Sequence, residues 1–138
     1  VVLPQSFMNL SGKVVSRCLK RWNAPPEKTL VVVDDLHLPL GTLRIRPSGS
    51  DGGQKGLQSI IETVGTKEIP RLRVGICPDV LKEPWEEFVL KPFHRKEEST
   101  VVEVVEVAAA CCRLWIDQWI EACMDRFNRK GLSSHGAL

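Results

Sequence analysis

The sequence predicts an α/β fold: a single domain with a mixed, mostly parallel, twisted sheet flanked by helices, and with a long C-terminal helix. The main observation is that short runs rich in β-branched residues alternate with segments of helical periodicity. The length of 138 residues fits one domain. A composition that is 43% hydrophobic and 26% charged is typical of a folded chain and argues against disorder.

The first predicted element is an amphipathic helix over Leu10 to Trp22. Its apolar residues recur on one stripe, and its lysines and arginines fall on the opposite face. We interpret this basic face as a solvated surface, with RNA contact as the alternative. The pair Pro25-Pro26 lies in the segment that ends the helix.

Two strands and a second helix follow. Thr29 to Val33 is a continuous apolar run, typical of a strand buried on both faces. Thr42 to Arg46 alternates apolar and basic residues, which predicts a strand with one face in water. Lys55 to Val64 has helical periodicity, and Gly65 is expected to end that helix.

The remaining third predicts two strands and a long helix. Leu72 to Ile76 and Trp85 to Leu90 are expected to be strands, and the helix is expected from Glu97 to about Phe127. Its apolar stripe is expected to pack on the sheet, with a cofactor or a partner helix as the alternative. The stripe comprises Val101, Val105, Ala108, Cys112, Trp115 and Trp119. Residues 1–130 are expected to form the domain, and residues 131–138 a polar tail.

The composition also argues against several classes of protein. The five cysteines include no CxxC pair, so we expect reduced core thiols in an intracellular protein, and neither disulfides nor a metal site. No apolar run reaches membrane-spanning length, and we expect no signal peptide. The net charge of +2 is too small to require a nucleic acid partner by itself.

Two aspartates, Asp34 and Asp35, follow the first predicted strand directly. Ligands of open α/β sheets gather at the carboxyl ends of the strands, so both are candidate site residues. Side chains alternate along a strand, so the two carboxylates point to opposite sides. One of them would orient a histidine or a water. Turn formation is the alternative, because aspartate favours strand-to-loop junctions.

A glycine-rich loop, Ser48 to Gly53, precedes the second helix. Glycine lets a backbone approach a ligand closely, and a helix N-terminus presents N–H groups and a positive dipole end. We therefore expect a phosphate or a developing oxyanion to bind here, with a flexible turn as the alternative. The glycine spacing is not that of a P-loop.

Basic residues flank this loop. Arg46 ends one predicted strand and Arg73 lies in another, so two guanidinium groups on neighbouring strands would clamp a phosphate. Unrelated surface arginines are the alternative. His37 is expected to be an exposed loop residue, with a general base as the less favoured interpretation.

Four motifs carry a family resemblance: Phe7 to Gly12 (FMNLSG), Val33 to Gly41 (VDDLHLPLG), Gly52 to Leu57 (GGQKGL) and Pro70 to Ile76 (PRLRVGI). In this order and spacing they resemble the bacterial-type peptidyl-tRNA hydrolase (aminoacyl-tRNA hydrolase) family over nearly the whole chain. The resemblance implies hydrolysis of the ester between peptide and tRNA, which recycles tRNA from stalled translation. It implies neither a metal nor a cofactor.

The resemblance also implies roles for individual residues. A histidine acts as general base on water, and Asp34 orients that histidine. Arg46 and Arg73 hold the 5′ phosphate of the tRNA. The residues expected to bind the substrate are Asn9, which lies near the scissile ester, and Lys55, Gly52 and Gly53.

The chain departs from the family pattern in three places. The resemblance puts the catalytic histidine in an N-terminal segment before Val1, so the chain is expected to be a fragment with little or no esterase activity alone. Lys55 stands where many members have the asparagine of an HNG triplet, and lysine cannot accept a hydrogen bond. His37 replaces the second aspartate of a DDLDLP-type motif. The alternative function is a non-catalytic, splicing-factor-like RNA-binding protein of the same fold.

The expected partner is tRNA, with no membrane partner and no metal. We expect a cytoplasmic protein, with an organelle as the alternative, and a monomer when the full-length chain is present. A sheet that lacks a strand exposes an edge, so the fragment itself is expected to be prone to self-association.

Overall fold

Three strands form one mixed sheet with the order β1-β3-β2. The computed structural model describes residues 1–128, so the predicted tail at 131–138 lies outside the described residues. Strands β1 and β3 run parallel, because the Val31 N–H donates to the Pro70 carbonyl near one end and the Leu40 N–H donates to the Cys77 carbonyl near the other. The strands are β1 (Val31–Pro39), β2 (Leu43–Arg46) and β3 (Arg71–Cys77).

Four α-helices complete the described fold: α1 (Ser11–Trp22), α2 (Lys55–Val64), α3 (Trp85–Phe88) and α4 (Glu98–Phe127). The predicted α/β class, the mixed sheet and the long C-terminal helix are therefore confirmed. Helix α2 has the predicted bounds, and Gly65 ends it in the left-handed conformation, with φ 85°. Among residues 1–128, no helix is both long and apolar enough to cross a membrane.

Strand β1 is longer than predicted, and this corrects the position of the two aspartates. The strand continues to Pro39, so Asp34 and Asp35 lie within it and do not end it. The expectation of burial on both faces is also wrong, since Val32 is 52% exposed. The buried positions are Val33, Asp35 and Leu38, so the alternation shifts by one residue after Asp35. An acidic residue is tolerated at a buried strand position because Asp35 has charged and hydrogen-bonding partners, described below.

The segment predicted as a strand from Trp85 to Leu90 instead contains the short helix α3. Its aromatic and β-branched residues favour a strand, but its flanks favour a helix. Pro84 occupies the N-cap, and Glu86 and Glu87 lie in the first turn. Carboxylates are stabilised there by the positive end of the helix dipole.

Helix α4 bends sharply at Trp119, whose backbone has φ 66° and ψ −171°. Beyond the bend, the Cys123 thiol donates to the carbonyl oxygen of Cys111 at 3.6 Å. A straight helix would separate these two residues by about 18 Å, so the chain turns back at Trp119. At its end, the Asn128 side chain accepts from the Ile45 N–H at 2.7 Å and donates to the Ile45 carbonyl at 2.9 Å.

The buried side of α4 differs from the predicted stripe. Val104 and Cys111 are buried before the bend, and Cys123 and Phe127 are buried after it. In contrast, Val105 and Trp119 of the predicted stripe are 57% and 50% exposed. The error arises because α4 carries apolar residues on more than one side, and periodicity alone does not say which side packs.

By their contacts, the residues divide into two compact units. The first, Val1–Val33 with Arg46–Leu72, contains α1 and α2. The second, Asp34–Ile45 with the described residues from Arg73 to Asn128, contains α3 and α4. The predicted domain boundaries remain a prediction.

In the first unit, α1 lies directly on α2 at Gly12. The Gly12 N–H donates to the Ser59 hydroxyl at 2.9 Å. A Cβ at position 12 would collide with the carbonyl oxygen of Ser59 and with the hydroxyl of Thr63. The two helices therefore approach this closely only because residue 12 is glycine.

We predict that Gly12→Ala lowers the free energy of unfolding by about 2–3 kcal/mol, because the added methyl group must push the helices apart. A loss of stability would point to this close contact, because alanine is otherwise a better helix former than glycine by about 1 kcal/mol. Urea unfolding followed by circular dichroism measures the change. Lys13→Ala, an exposed neighbour on the same helix, is the control and is expected to change stability by less than about 0.5 kcal/mol. A Gly12→Ala variant as stable as the parent contradicts this account of the packing.

Candidate functional site

The segment before α1 lies against the start of α2. A Cβ at Gly56 would collide with the Met8 sulfur, so Met8 sits directly over this glycine. The Gln54 side-chain amide donates to the same sulfur at 3.8 Å. Asn9 follows Met8 in the short turn Met8–Leu10, and Lys55 lies between Gln54 and Gly56. The structure therefore brings the exposed residues Asn9 and Lys55 to the same end of α2.

Gln54 is a positioning residue that sequence reasoning missed. Its side-chain oxygen accepts from the Leu57 N–H at 2.7 Å, which caps α2, while its amide nitrogen contacts Met8. One side chain thus fixes both the start of α2 and the residue before Asn9. Glutamine is not among the preferred N-cap residues, so composition gave little signal for this role.

The turn before Gln54 is held by its own hydrogen bonds. The Asp51 carboxylate accepts from the Gly53 N–H at 2.7 Å, and the Asp51 carbonyl accepts from the Gln54 N–H at 3.1 Å. Gly52 and Gly53 have φ of 60° and 84°, which favours glycine at both positions. Both are exposed beside the N-terminus of α2, where the helix dipole favours an anion.

Arg71 is a buried residue that holds the glycine-rich loop in place. Sequence reasoning did not identify this role. Its side chain is 1% exposed. Its guanidinium donates to the carbonyl oxygens of Ser50, Lys67 and Ile69 at 2.8, 3.0 and 2.7 Å. Buried donors with good partners hold a backbone in place, so Arg71 fixes the loop. The only sequence signal was its place in the RLR triplet, where reasoning selected Arg73 alone.

In the second unit, Arg73 forms an ion pair with Asp35. The Arg73 Nη1 to Asp35 Oδ2 distance is 3.7 Å, and the two side chains are 12% and 8% exposed. The other Asp35 oxygen accepts from the His37 N–H at 2.7 Å. Arg73 is therefore a positioned, partly neutralised cation. His37 is exposed as expected, but it lies in β1 and not in a loop.

The structure does not test the roles predicted for three residues: the phosphate contacts of Arg46 and Arg73, and the action of Asp34 on a histidine. Arg46 is exposed at the end of β2, in the first unit, whereas Arg73 belongs to the second unit, so a shared phosphate clamp remains a prediction. Asp34 is half-buried in β1, and its action on a histidine also remains a prediction.

Three of the five thiols that were expected to be core residues have no character of nucleophiles. Burial, with a smaller effect of Cys123, raises the pKa of Cys111 to about 12. Burial likewise raises the pKa of Cys112 and of Cys123. These thiols stay protonated at neutral pH, and a protonated thiol is a poor nucleophile and metal ligand. Over residues 1–128, no group of three or more His, Cys, Asp or Glu side chains is arranged to hold a metal ion.

We predict that Asp35→Asn lowers the free energy of unfolding by about 2–4 kcal/mol, because it removes the negative charge beside a guanidinium that is largely shielded from water. Chemical unfolding of parent and variant measures the loss. The matched control is Asp34→Asn, the same change at the adjacent, less buried residue, with an expected loss below about 1 kcal/mol. Equal losses in the two variants would show that the Asp35–Arg73 pair has no special part in stability.

Comparison with known proteins gives a consistent result. The family profile described as "Peptidyl-tRNA hydrolase" matches residues 1–135. The chain is 42% identical to the peptidyl-tRNA hydrolase of Persephonella marina over 130 residues, covering 94% of this chain and 69% of that protein. It is 41% identical to the Aquifex aeolicus protein of that name, covering 94% and 67%.

Solved structures agree. The crystal structure of peptidyl-tRNA hydrolase from Acinetobacter baumannii superposes with a TM-score of 0.83 at 28% identity, covering 94% of this chain and 65% of that one. The complex of a peptidyl-tRNA hydrolase with N-propanol gives a TM-score of 0.84 at 27% identity. The chain thus spans about two thirds of the length of these proteins. The profile, the relatives and the fold together show that the chain belongs to the peptidyl-tRNA hydrolase family.

Proposed function

We propose that this protein hydrolyses the ester bond between the peptide and the tRNA of peptidyl-tRNA. The observation that carries the proposal is the placement of Asn9 and Lys55 at one exposed end of α2, beside the turn Gly52-Gly53. Ester hydrolysis needs donors that stabilise the negative charge developing on the carbonyl oxygen. The Lys55 ammonium, the Asn9 amide and the positive end of α2 are donors of this kind.

The proposal gives Asp34 a positioning role. Hydrolysis also needs a base that takes a proton from the attacking water. Family resemblance assigns that step to a histidine outside residues 1–138, oriented by Asp34. The two described histidines, His37 and His94, are both exposed, which does not favour either as the base.

Binding of tRNA is proposed to depend on phosphate contacts away from the ester. Arg46 is exposed at the end of β2, and Arg73 is paired with Asp35. Such contacts orient a nucleic acid without reading its sequence, so they serve many tRNAs alike. Because peptidyl-tRNA arises where translation takes place, we expect the protein in the cytoplasm, with an organelle as the alternative.

The second candidate function is RNA binding without catalysis. The relatives and structures described above carry the name peptidyl-tRNA hydrolase, which favours the enzyme. The two candidates share RNA binding and differ in ester cleavage, so a turnover measurement separates them.

We predict that residues 1–138 alone release peptide from an N-acetyl-aminoacyl-tRNA at close to the uncatalysed rate. Joining the N-terminal segment of the Persephonella marina relative to Val1 is expected to restore turnover. Within that joined protein, Asp34→Asn should lower kcat by roughly a hundredfold or more, because the base loses its orienting carboxylate.

The control in the joined protein is Asp117→Asn, the same change at an exposed position on α4, with no expected effect on kcat. Rapid turnover by residues 1–138 alone contradicts the assignment of the base. A joined protein that binds tRNA but never cleaves the ester favours the second candidate function.

We predict that Arg46→Ala weakens binding of 5′-phosphorylated tRNA roughly tenfold and leaves binding of dephosphorylated tRNA nearly unchanged. Arg44→Ala is the matched control, since Arg44 is an exposed arginine on the same face of β2. It is expected to weaken binding of both tRNAs to the same small extent, through loss of general charge. Fluorescence anisotropy at fixed salt measures the affinities. If Arg46→Ala affects both tRNAs equally, Arg46 does not bind the 5′ phosphate.

A further inference from the structure

One buried guanidinium joins the chain segments that come before and after α2. Arg71, the first residue of β3, donates to the Ser50 carbonyl in the loop before α2 at 2.8 Å. It also donates to the carbonyls of Lys67 and Ile69, which follow α2, at 3.0 and 2.7 Å. All four residues belong to the first unit. A single side chain from the sheet therefore fixes the chain on both sides of α2.

The loop before α2 is held at this point by a second hydrogen bond. The Gly49 N–H donates to the Lys67 carbonyl at 3.2 Å, so this carbonyl accepts from both Gly49 and Arg71. A Cβ at position 49 would lie 3.6 Å from the Arg71 Nη1, so the loop backbone lies against the guanidinium. The φ of Gly49 is 139°, a conformation that favours glycine. Gly49 and Ser50, two consecutive residues, are thus tied to the segment after α2 and to the sheet.

The loop continues from this fixed point to the candidate site. Asp51 follows Ser50, and its carboxylate accepts from the Gly53 N–H at 2.7 Å. The Asp51 carbonyl accepts from the Gln54 N–H at 3.1 Å. The Gln54 side-chain amide then donates to the Met8 sulfur at 3.8 Å. A continuous path of peptide bonds and hydrogen bonds therefore runs from the buried guanidinium to the segment before α1.

We propose that Arg71 is a positioning residue for substrate binding. It sets where the turn Gly52-Gly53 and Lys55 lie relative to Asn9, and it does so without contact with the substrate. Its side chain is 1% exposed, so it acts through the loop backbone that it holds. The inference rests on the proposed function, because it takes these exposed residues as the ones that bind the ester end of peptidyl-tRNA.

The arrangement requires the shape of an arginine as well as its charge. A guanidinium is planar and presents its N–H donors in a rigid fork, so one group can reach carbonyls on several sides. A lysine ammonium keeps the charge but carries all its donors on one atom at the end of a flexible stem. Arg71→Lys therefore retains the positive charge and loses the link between the two segments. A carbonyl that loses a buried donor no longer holds its segment in place.

NMR of the ¹⁵N-labelled 138-residue chain tests the proposal, with the trinucleotide CCA, the 3′ end of tRNA, as the probe. In Arg71→Lys, hydrogen exchange at the Gly49 and Leu57 amides should speed up roughly tenfold, since both amides donate within the held segment. Exchange at Ile60, in the middle of α2, should change less than about threefold. Binding of CCA should weaken roughly tenfold, because the turn and Lys55 are no longer fixed.

Two further variants separate position from stability. Leu72→Ala removes a side chain that is 0% exposed, beside Arg71 in β3, and leaves every hydrogen bond to the loop intact. It should lower stability and still bind CCA with the affinity of the parent. Gly49→Ala displaces the loop from its own side while Arg71 stays in place, and it should weaken CCA binding roughly tenfold. Circular dichroism checks that each variant is folded.

The outcomes distinguish this inference from the proposed function. Parent-like affinity for CCA in either Arg71→Lys or Gly49→Ala, when the variant is folded, overturns the positioning role. An equal loss of affinity in Leu72→Ala also overturns it, because lost stability then explains the effect. A parent chain that does not bind CCA overturns the proposed site together with this inference, whereas binding that parent and variants share overturns the inference alone.

Discussion

The candidate site depends on two close contacts that form at glycines. Gly12 lets α1 lie on the backbone of α2, and Gly56 lets Met8 lie on the first turn of α2. Together they bring Asn9 to the end of α2 at which Lys55 lies, although the two residues come from different motifs. Neither glycine contacts a substrate in this account. Their part is to bring two polar side chains and one helix N-terminus to the same exposed surface.

Sequence reasoning succeeded where local pattern and local structure agree. Alternation in Leu43–Arg46 and the helix ended by Gly65 were both predicted correctly. It failed where a distant partner decides the outcome. Asp35 remains in a strand because Arg73 pairs with it, and α4 buries Val104 and not Val105 because packing selected one of two apolar sides. Neither the pairing of Asp35 with Arg73 nor the buried side of α4 can be predicted from the neighbouring residues in the sequence.

The RLR triplet shows how far residue type constrains function. Strand alternation places Arg71 and Arg73 on the same face, so their chemistry looks equivalent in the sequence. In the structure, the Arg71 guanidinium donates hydrogen bonds to three carbonyl oxygens and supports the glycine-rich loop, whereas Arg73 forms an ion pair with the Asp35 carboxylate. One arginine is structural and the other remains a candidate phosphate ligand, and only tertiary contacts separate them.

The central claim is that Asn9, Lys55 and the turn Gly52-Gly53 bind peptidyl-tRNA at the ester, which joins the peptide to the 3′ end of the tRNA. Titration of ¹⁵N-labelled residues 1–138 with the trinucleotide CCA, followed by NMR, tests it directly. The account predicts that amide shifts concentrate at Asn9 and from Gly52 to Lys55, and that Lys55→Ala weakens them whereas Lys13→Ala, at an exposed position on α1, does not. Shifts that cluster elsewhere, or that are unchanged in Lys55→Ala, would contradict it.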